Sequence, residues 1–143
     1  MSAHLEHVHS VWGRMRTNSP IYSFLLNRVE IYHAEPGLIR AKLPIEAHHV
    51  NSKGTLHGVL SSCLVDWVGG MAVASHGRQS TGLSTDLHVS FTAGAKEGDI
   101  LVVEGRTAQI GKTLAFTNII IWKGEGKSSM IVAQGSHTKV VSI

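Results

Sequence analysis

Residues 51–75 read NSKGTLHGVLSSCLVDWVGGMAVAS, and the reading of this stretch decides the rest of the chain. From Gly58 to about residue 75 it is apolar nearly all round, where a surface helix would keep a polar face. Such a helix has to be covered on most sides. Gly69 and Gly70 each lower helicity by about 1 kcal/mol against alanine, so packing must hold it together. Small residues there also permit close approach by another backbone. Asp66 stands among Leu64, Val65, Trp67 and Val68, with no Lys or Arg three or four residues away to neutralise it. A buried carboxylate without a partner is costly, so Asp66 is expected to serve chemistry, with a long-range structural partner as the other reading.

Working outward, two short helices are expected before residue 28, the second over about 21–27 behind Asn18, Ser19 and Pro20. Residues 29–34 and 38–43 read as a hairpin around Glu35, Pro36 and Gly37, and 44–57 as an irregular connection. After the helix come strand patterns over 83–91, 100–110, 114–122 and 129–141, with a turn at Gly111 and Lys112 and a last tight connection at KGEGK, residues 123–127. This predicts an antiparallel meander following one long helix. About six strands can cover that helix only as a curved sheet wrapped around it, the α+β hotdog architecture. Residues 1–143 form one domain in this reading, with 1–28 an N-terminal helical segment.

Composition narrows the function classes. Apolar residues make up 43% and charged residues 16%, an ordinary folded composition whose low charge hints at self-association. The formal charge is +3, and the thirteen Lys and Arg, Lys139 among them, are scattered without the stripe or patch that nucleic acid requires. Most of them read as solvated surface. The single cysteine, Cys63, lies in the apolar run and reads as a buried, inert thiol. Ten histidines occur without Cys or carboxylate partners at close metal-ligand spacing, so no metal is expected. The first 16 residues lack a signal-peptide pattern, and the apolar run around Asp66 is too short to span a membrane. The expectation is a soluble cytoplasmic protein, with Arg14 and Arg16 leaving a mitochondrial address open.

The segment N51-S-K-G-T-L-H-G58, the helix with Asp66, G82-L-S-T-D86 and G111-K-T-L-A-F-T117 together resemble the hotdog-fold acyl-CoA thioesterases, over about residues 30–139. Many members have two glycines after the histidine; here Gly58 is followed by Val59, which is expected to narrow or reshape the pocket entrance. The resemblance implies a thioester hydrolase without metal or bound cofactor, coenzyme A being part of the substrate. It also implies subunits that pair by joining their sheets, with active sites at the dimer interface, and commonly a tetramer of two dimers. In the family the amide matching Gly58 carries the oxyanion role and the hydroxyl matching Ser84 orients the attacking water. Segments matching Asp86, Lys96 and the Gly111-Lys112-Thr113 turn contact coenzyme A.

The residues themselves support such a site. The first amides of a helix have no intrahelical acceptor and sit at the positive end of its dipole, and a glycine there lets a ligand come close. Asp66 lies eight residues further, roughly 12 Å at about 1.5 Å per residue, too far to act on a carbonyl held at its own helix start. One active site built from both therefore needs two chains related by a twofold axis. In that arrangement Asp66 faces Asn51, His57 and Gly58 of the other subunit. Desolvation should make it a stronger base, able to deprotonate water or to attack the thioester carbonyl itself, with the water route preferred. Asn51 would assist Gly58 in holding the carbonyl oxygen, and His57 would support that loop. Taken alone, Asn51 and Ser84 also suit local hydrogen bonding and His57 a structural role. The acyl group is expected among apolar residues such as Ile21, Phe24 and Leu25. A hotdog dehydratase or hydratase, a non-catalytic acyl-CoA binding module and a structural oligomer are the rival readings.

Overall fold

The computed structural model describes residues 1–124 and 128–142. Two helices, α1 (Ala3–Asn18) and α2 (Pro20–Leu25), precede the hairpin β1 (Glu30–Glu35) and β2 (Leu38–Pro44). A 3-10 turn (Ala47–His49) leads to α3 (Gly58–Ala74). Four strands follow: β3 (Leu83–Phe91), β4 (Ile100–Ile110), β5 (Leu114–Lys123) and β6 (Met130–Val140). All six strands form one antiparallel sheet in the order β1-β2-β4-β5-β6-β3. Of the expected KGEGK connection, Glu125, Gly126 and Lys127 lie outside the described residues.

The meander holds for β4, β5 and β6 but not for β3. That strand pairs with β6 at the far edge, with Val89 opposite Gly135, while β2 takes the place beside β4. Residues 92–99 carry the chain back across the end of the sheet, from the Thr92 amide on the Val132 carbonyl to the Asp99 carbonyl that accepts from the Ile45 amide. Crossing three strand spacings is roughly 14 Å, within easy reach of an eight-residue connection.

α3 lies against the inner face of the sheet. Leu60, Leu64, Val65, Trp67, Val68 and Met71 are all at most 1% exposed, as the all-round apolar pattern requires. Each such side chain contributes about 1.5–3 kcal/mol of burial free energy. The N-terminal segment covers the remaining side of the helix. α1 is longer than the short helix expected, at 16 residues, because Ser2 caps its start and Val8, Val11 and Trp12 give it a buried stripe at i, i+3, i+4. Trp12 meets Trp67 and Tyr22 edge-on, with ring centroids 5.2 and 5.9 Å away. α2 starts as expected, with Ser19 as cap and Pro20 in its first turn. Among the described residues no helix is long and apolar enough to cross a membrane.

Candidate active site

The loop before α3 spends its side chains on its own shape. Asn51 Oδ1 accepts from the amides of Lys53 at 2.9 Å and Thr55 at 3.1 Å, and Asn51 Nδ2 donates to Thr55 Oγ1 at 2.9 Å. Asn51 is thus engaged in the local hydrogen bonding that its residue type suits. His57 caps the helix, its Nδ1 accepting from the Val59 amide at 2.9 Å, and its carbonyl takes the Leu60 amide at 3.0 Å. That leaves Gly58 as the first-turn amide for which no protein acceptor is found among the described residues. A Cβ at Gly58 would lie 3.2 Å from the ring of Phe91, at the end of β3. Lys96 stands at this end too, bridged to Thr55, with its amide on Asp99 Oδ2.

Beneath this loop, His49 is 1% exposed and saturated: Nδ1 accepts from the Glu46 amide at 2.9 Å and Nε2 donates to the Leu25 carbonyl at 2.7 Å. Burial holds its imidazole below the usual histidine range. Contrary to the sequence reading of the histidines, Glu46, His48 and His49 do come within metal-ligand spacing, their ligand atoms all within 4.8 Å of one another. With both ring nitrogens of His49 engaged, the group still lacks the free donors a metal needs.

Eight residues along, Asp66 is neither buried nor alone. Its side chain is 41% exposed and lies in a groove of about 570 Å³ whose walls include Ile21, Tyr22, Val59, Cys63, Ser84 and Leu87. The Tyr22 hydroxyl donates to Asp66 Oδ2 at 3.0 Å, and His137 Nε2 lies 3.6 Å from Oδ1. Ser84 Oγ and His137 Nε2 share a hydrogen bond of 2.6 Å. The expectation of an enclosed carboxylate is corrected here: α3 presents this turn to the gap between α2 and β3, where no strand covers it. Tyr22, partly enclosed and beside this carboxylate, has its phenol pushed far above the usual range, first by burial and then by the Asp66 charge. Cys63, half-buried on the groove wall, is pushed up to about 12 by the same two causes, which keeps it a thiol.

Two inward-facing side chains of β6 complete the niche. His137 is fully buried, its Nδ1 without a hydrogen-bond partner among the described residues, and it is held below the usual histidine range by burial first and by Lys139 second. Lys139, read from sequence as one of the scattered cations, is 4% exposed and drawn below the usual lysine range by burial. The helix glycines make room for side chains rather than for another backbone. A Cβ at Gly69 would lie 2.9 Å from His137 Nδ1 and from Thr117 Oγ1.

The other sequence-predicted positions divide between the two ends of the sheet. The Gly111-Lys112-Thr113 turn sits at the Asp66 end, where the Thr113 carbonyl accepts from Val141 and Leu114 pairs with Val140 beside Leu83. Lys96 is at the Gly58 end. Asp86 is exposed on β3 opposite Thr138. Leu25 is buried, whereas Ile21 and Phe24 are 58% and 60% exposed, and only Ile21 reaches the groove. Sequence reasoning missed Tyr22, His137 and Lys139. Its one signal in β6 was ambiguous, because Gln134, Ser136 and Thr138 make the outer face polar as well, and alternation then fails to tell the faces apart.

A six-stranded antiparallel sheet wrapped around a single apolar helix is the hotdog fold, and with an ionisable niche opening onto a groove along that helix the molecule takes its place among hotdog-fold enzymes. The pattern of the thioesterase superfamily matches residues 53–130, more than half of the sequence, and the chain belongs to that superfamily. It is 35% identical to human acyl-coenzyme A thioesterase 13 over 124 residues, 86% of each chain. The crystal structure of zebrafish thioesterase superfamily member 2 superimposes with a TM-score of 0.86 at 31% identity, covering 98% of this chain and 99% of that one. A hypothetical thioesterase protein of Streptococcus pneumoniae, solved with coenzyme A, shares the fold at a TM-score of 0.73 and 22% identity, over 80% of this chain and 85% of its own. The protein is a thioester hydrolase.

Proposed function

We propose that the protein hydrolyses acyl-CoA thioesters at sites shared between two copies joined along β3. The observation that carries this reading is the position of the two half-sites at opposite ends of one edge strand. Ser84, beside Asp66, lies near the start of β3, and Phe91, against Gly58, ends it. Residues 83–88 are all exposed, and the edge carries neither Lys nor Pro, the usual devices against pairing. Leu83 and Phe91 are 61% and 60% exposed. A twofold antiparallel pairing of β3 with itself brings the Ser84 end of one copy to the Phe91 end of the other. Asp66 then faces the Gly58 amide and Asn51 across the axis, and Lys112 of one copy approaches the side that carries Lys96 of the other. The streptococcal protein of like fold was solved with coenzyme A, and in this reading the two lysines meet the phosphates of that ligand.

In this reading the thioester oxygen rests on the Gly58 amide at the positive end of α3, with Asn51 Nδ2 assisting and His57 holding the loop. Asp66 takes a proton from a water oriented by Ser84, and the hydroxide adds to the carbonyl carbon. Collapse of the tetrahedral oxyanion breaks the C–S bond, releasing the acid and the thiolate of coenzyme A. Asp66 Oδ2 is already held by Tyr22, leaving Oδ1, toward Ser84 and His137, as the basic oxygen. This chemistry calls for water and side chains alone, without metal or cofactor. A second association through the outer face of the sheet, where Ile100, Phe116 and Met130 are exposed, would make a tetramer.

The test is release of thiol from short, medium, long and aryl acyl-CoAs by wild type and by Asp66→Asn. Release by wild type alone is expected. Mixed dimers of Asp66→Asn with a Gly58 variant should regain part of the activity, and a confirmed heterodimer with none would count against the shared site. Turnover by Asp66→Asn at the wild-type rate would remove Asp66 from the chemistry.

A further inference from the structure

The niche behind Asp66 holds a charge that the mechanism above does not use. Lys139 is 4% exposed, and among the described residues its ammonium makes no hydrogen bond. Its Nζ lies against α3 at Gly70, where a Cβ would be 3.4 Å from Lys139 Nζ and 3.0 Å from Thr81 Cβ. A lysine buried along most of its length, with an ammonium that makes no hydrogen bond, is costly unless an opposite charge offsets it. Gly70 is four residues after Asp66 and so lies on the same face of α3, one turn away. His137 stands two residues before Lys139 on the same inward face of β6.

We propose that Lys139 is a positioning residue for the hydrolysis, its ammonium supplying the positive charge of the niche beside which His137 stands as a neutral ring holding Ser84 next to Asp66. This rests on the reading of Asp66 as the base. The groups bearing on the pair come from four elements: Tyr22 of α2, Cys63 of α3, Asp86 of β3 and His137 of β6. Tyr22 and Cys63 stay neutral. Burial and Lys139 disfavour the imidazolium, while Asp66 and Asp86 favour it. With Lys139 present, its charge opposes those of Asp66 and Asp86 at His137 and leaves the ring uncharged. Without it, His137 takes up the proton in its place and pairs with Asp66, which then no longer serves as a base.

The experiment follows kcat against pH for wild type, Lys139→Met and Lys139→Arg, together with the His137 imidazole titration by NMR. In Lys139→Met the His137 titration and the acid limb of kcat should both move up by about one unit, the scale of one neighbouring charge, with KM little changed. Lys139→Arg keeps the charge and should keep the limb near that of wild type. A uniform loss of rate in Lys139→Met with an unmoved limb and unmoved His137 titration would mean a packing role only and overturn the proposal. Should Lys139→Met fail to fold, Lys139→Gln takes its place: an upward move of the His137 titration and of the acid limb supports the proposal, and a His137 titration unmoved from that of wild type overturns it. An active Asp66→Asn removes the base itself, whereas an inactive Asp66→Asn with an unmoved limb in Lys139→Met removes Lys139 alone.

Discussion

At the start of α3, Asn51 and His57 fold their side chains back onto their own loop, and what they present outward is a backbone amide. Eight residues on, Asp66 receives Tyr22 from α2, and beside it stand Ser84 from β3 and His137 and Lys139 from β6. The first end is made by neighbours in sequence and the second by residues as far as 73 positions away. A local turn can hold a peptide dipole in place, because backbone geometry does the positioning. A carboxylate set among apolar residues needs partners of matched charge, which a helix without cations cannot supply from its own turns.

The sharpest way to break this contrast is Asp66→Asn, which keeps the shape and removes the base. We expect kcat to fall by about 10²–10⁴, with the unfolding midpoint in urea close to that of wild type. Comparable kcat in the two proteins would make the niche structural. Gly69→Ala should come next: the added methyl gains about 1 kcal/mol of helicity but meets His137 and Thr117 at 2.9 Å. Overpacking of this kind costs about 1–3 kcal/mol, so net destabilisation with loss of activity is expected, and a variant more stable than wild type would show that the niche yields.

At the loop end, Asn51→Ala removes the acceptor for two amides and should lower stability by about 1–2 kcal/mol in denaturant titrations. Asn51→Asp keeps that acceptor and should stay within about 0.5 kcal/mol, so an equal loss in both would place the effect in Nδ2. Tyr22→Phe removes one hydrogen bond from Asp66; a stability change of about 1 kcal/mol and a fall in kcat of roughly tenfold are expected. A full-rate Tyr22→Phe enzyme would reduce Tyr22 to packing against Trp12.

The mildest test is acidification. His49 and His137 are both held below the usual histidine value of 6.5, chiefly by burial. Between the folded and unfolded values the unfolded chain binds more protons, so stability falls as pH drops below 6.5. The melting temperature should therefore decline from pH 7 to pH 5, and His49→Asn should lessen the slope. A flat profile would mean that these rings are not neutral and buried in the folded state.

Much of the fold was legible because it rests on periodicity: the all-apolar helix demanded a wrapping sheet, and alternation with turn residues located the strands. The place of β3 was not legible, since strands adjacent in sequence usually pair and only the return of residues 92–99 across the sheet puts β3 at the edge. Within the site, the Gly58 end could be read from helix-terminus chemistry. The Tyr22–Asp66 contact could not, because it depends on how α2 is laid over α3. Gly69 and Gly70 were visible as an oddity, but what they make room for was not.

From sequence alone came the covered helix, the carboxylate within it, the free amide at its start and the distance that keeps the two apart in one chain. Those follow from local rules of spacing, propensity and charge. Tertiary structure decided that β3 lies at the edge of the sheet, that Asp66 opens onto a groove, and that a histidine and a lysine from the last strand stand behind it. These depend on sheet order and register, and a one-residue slip in β6 would turn both side chains to the outer face.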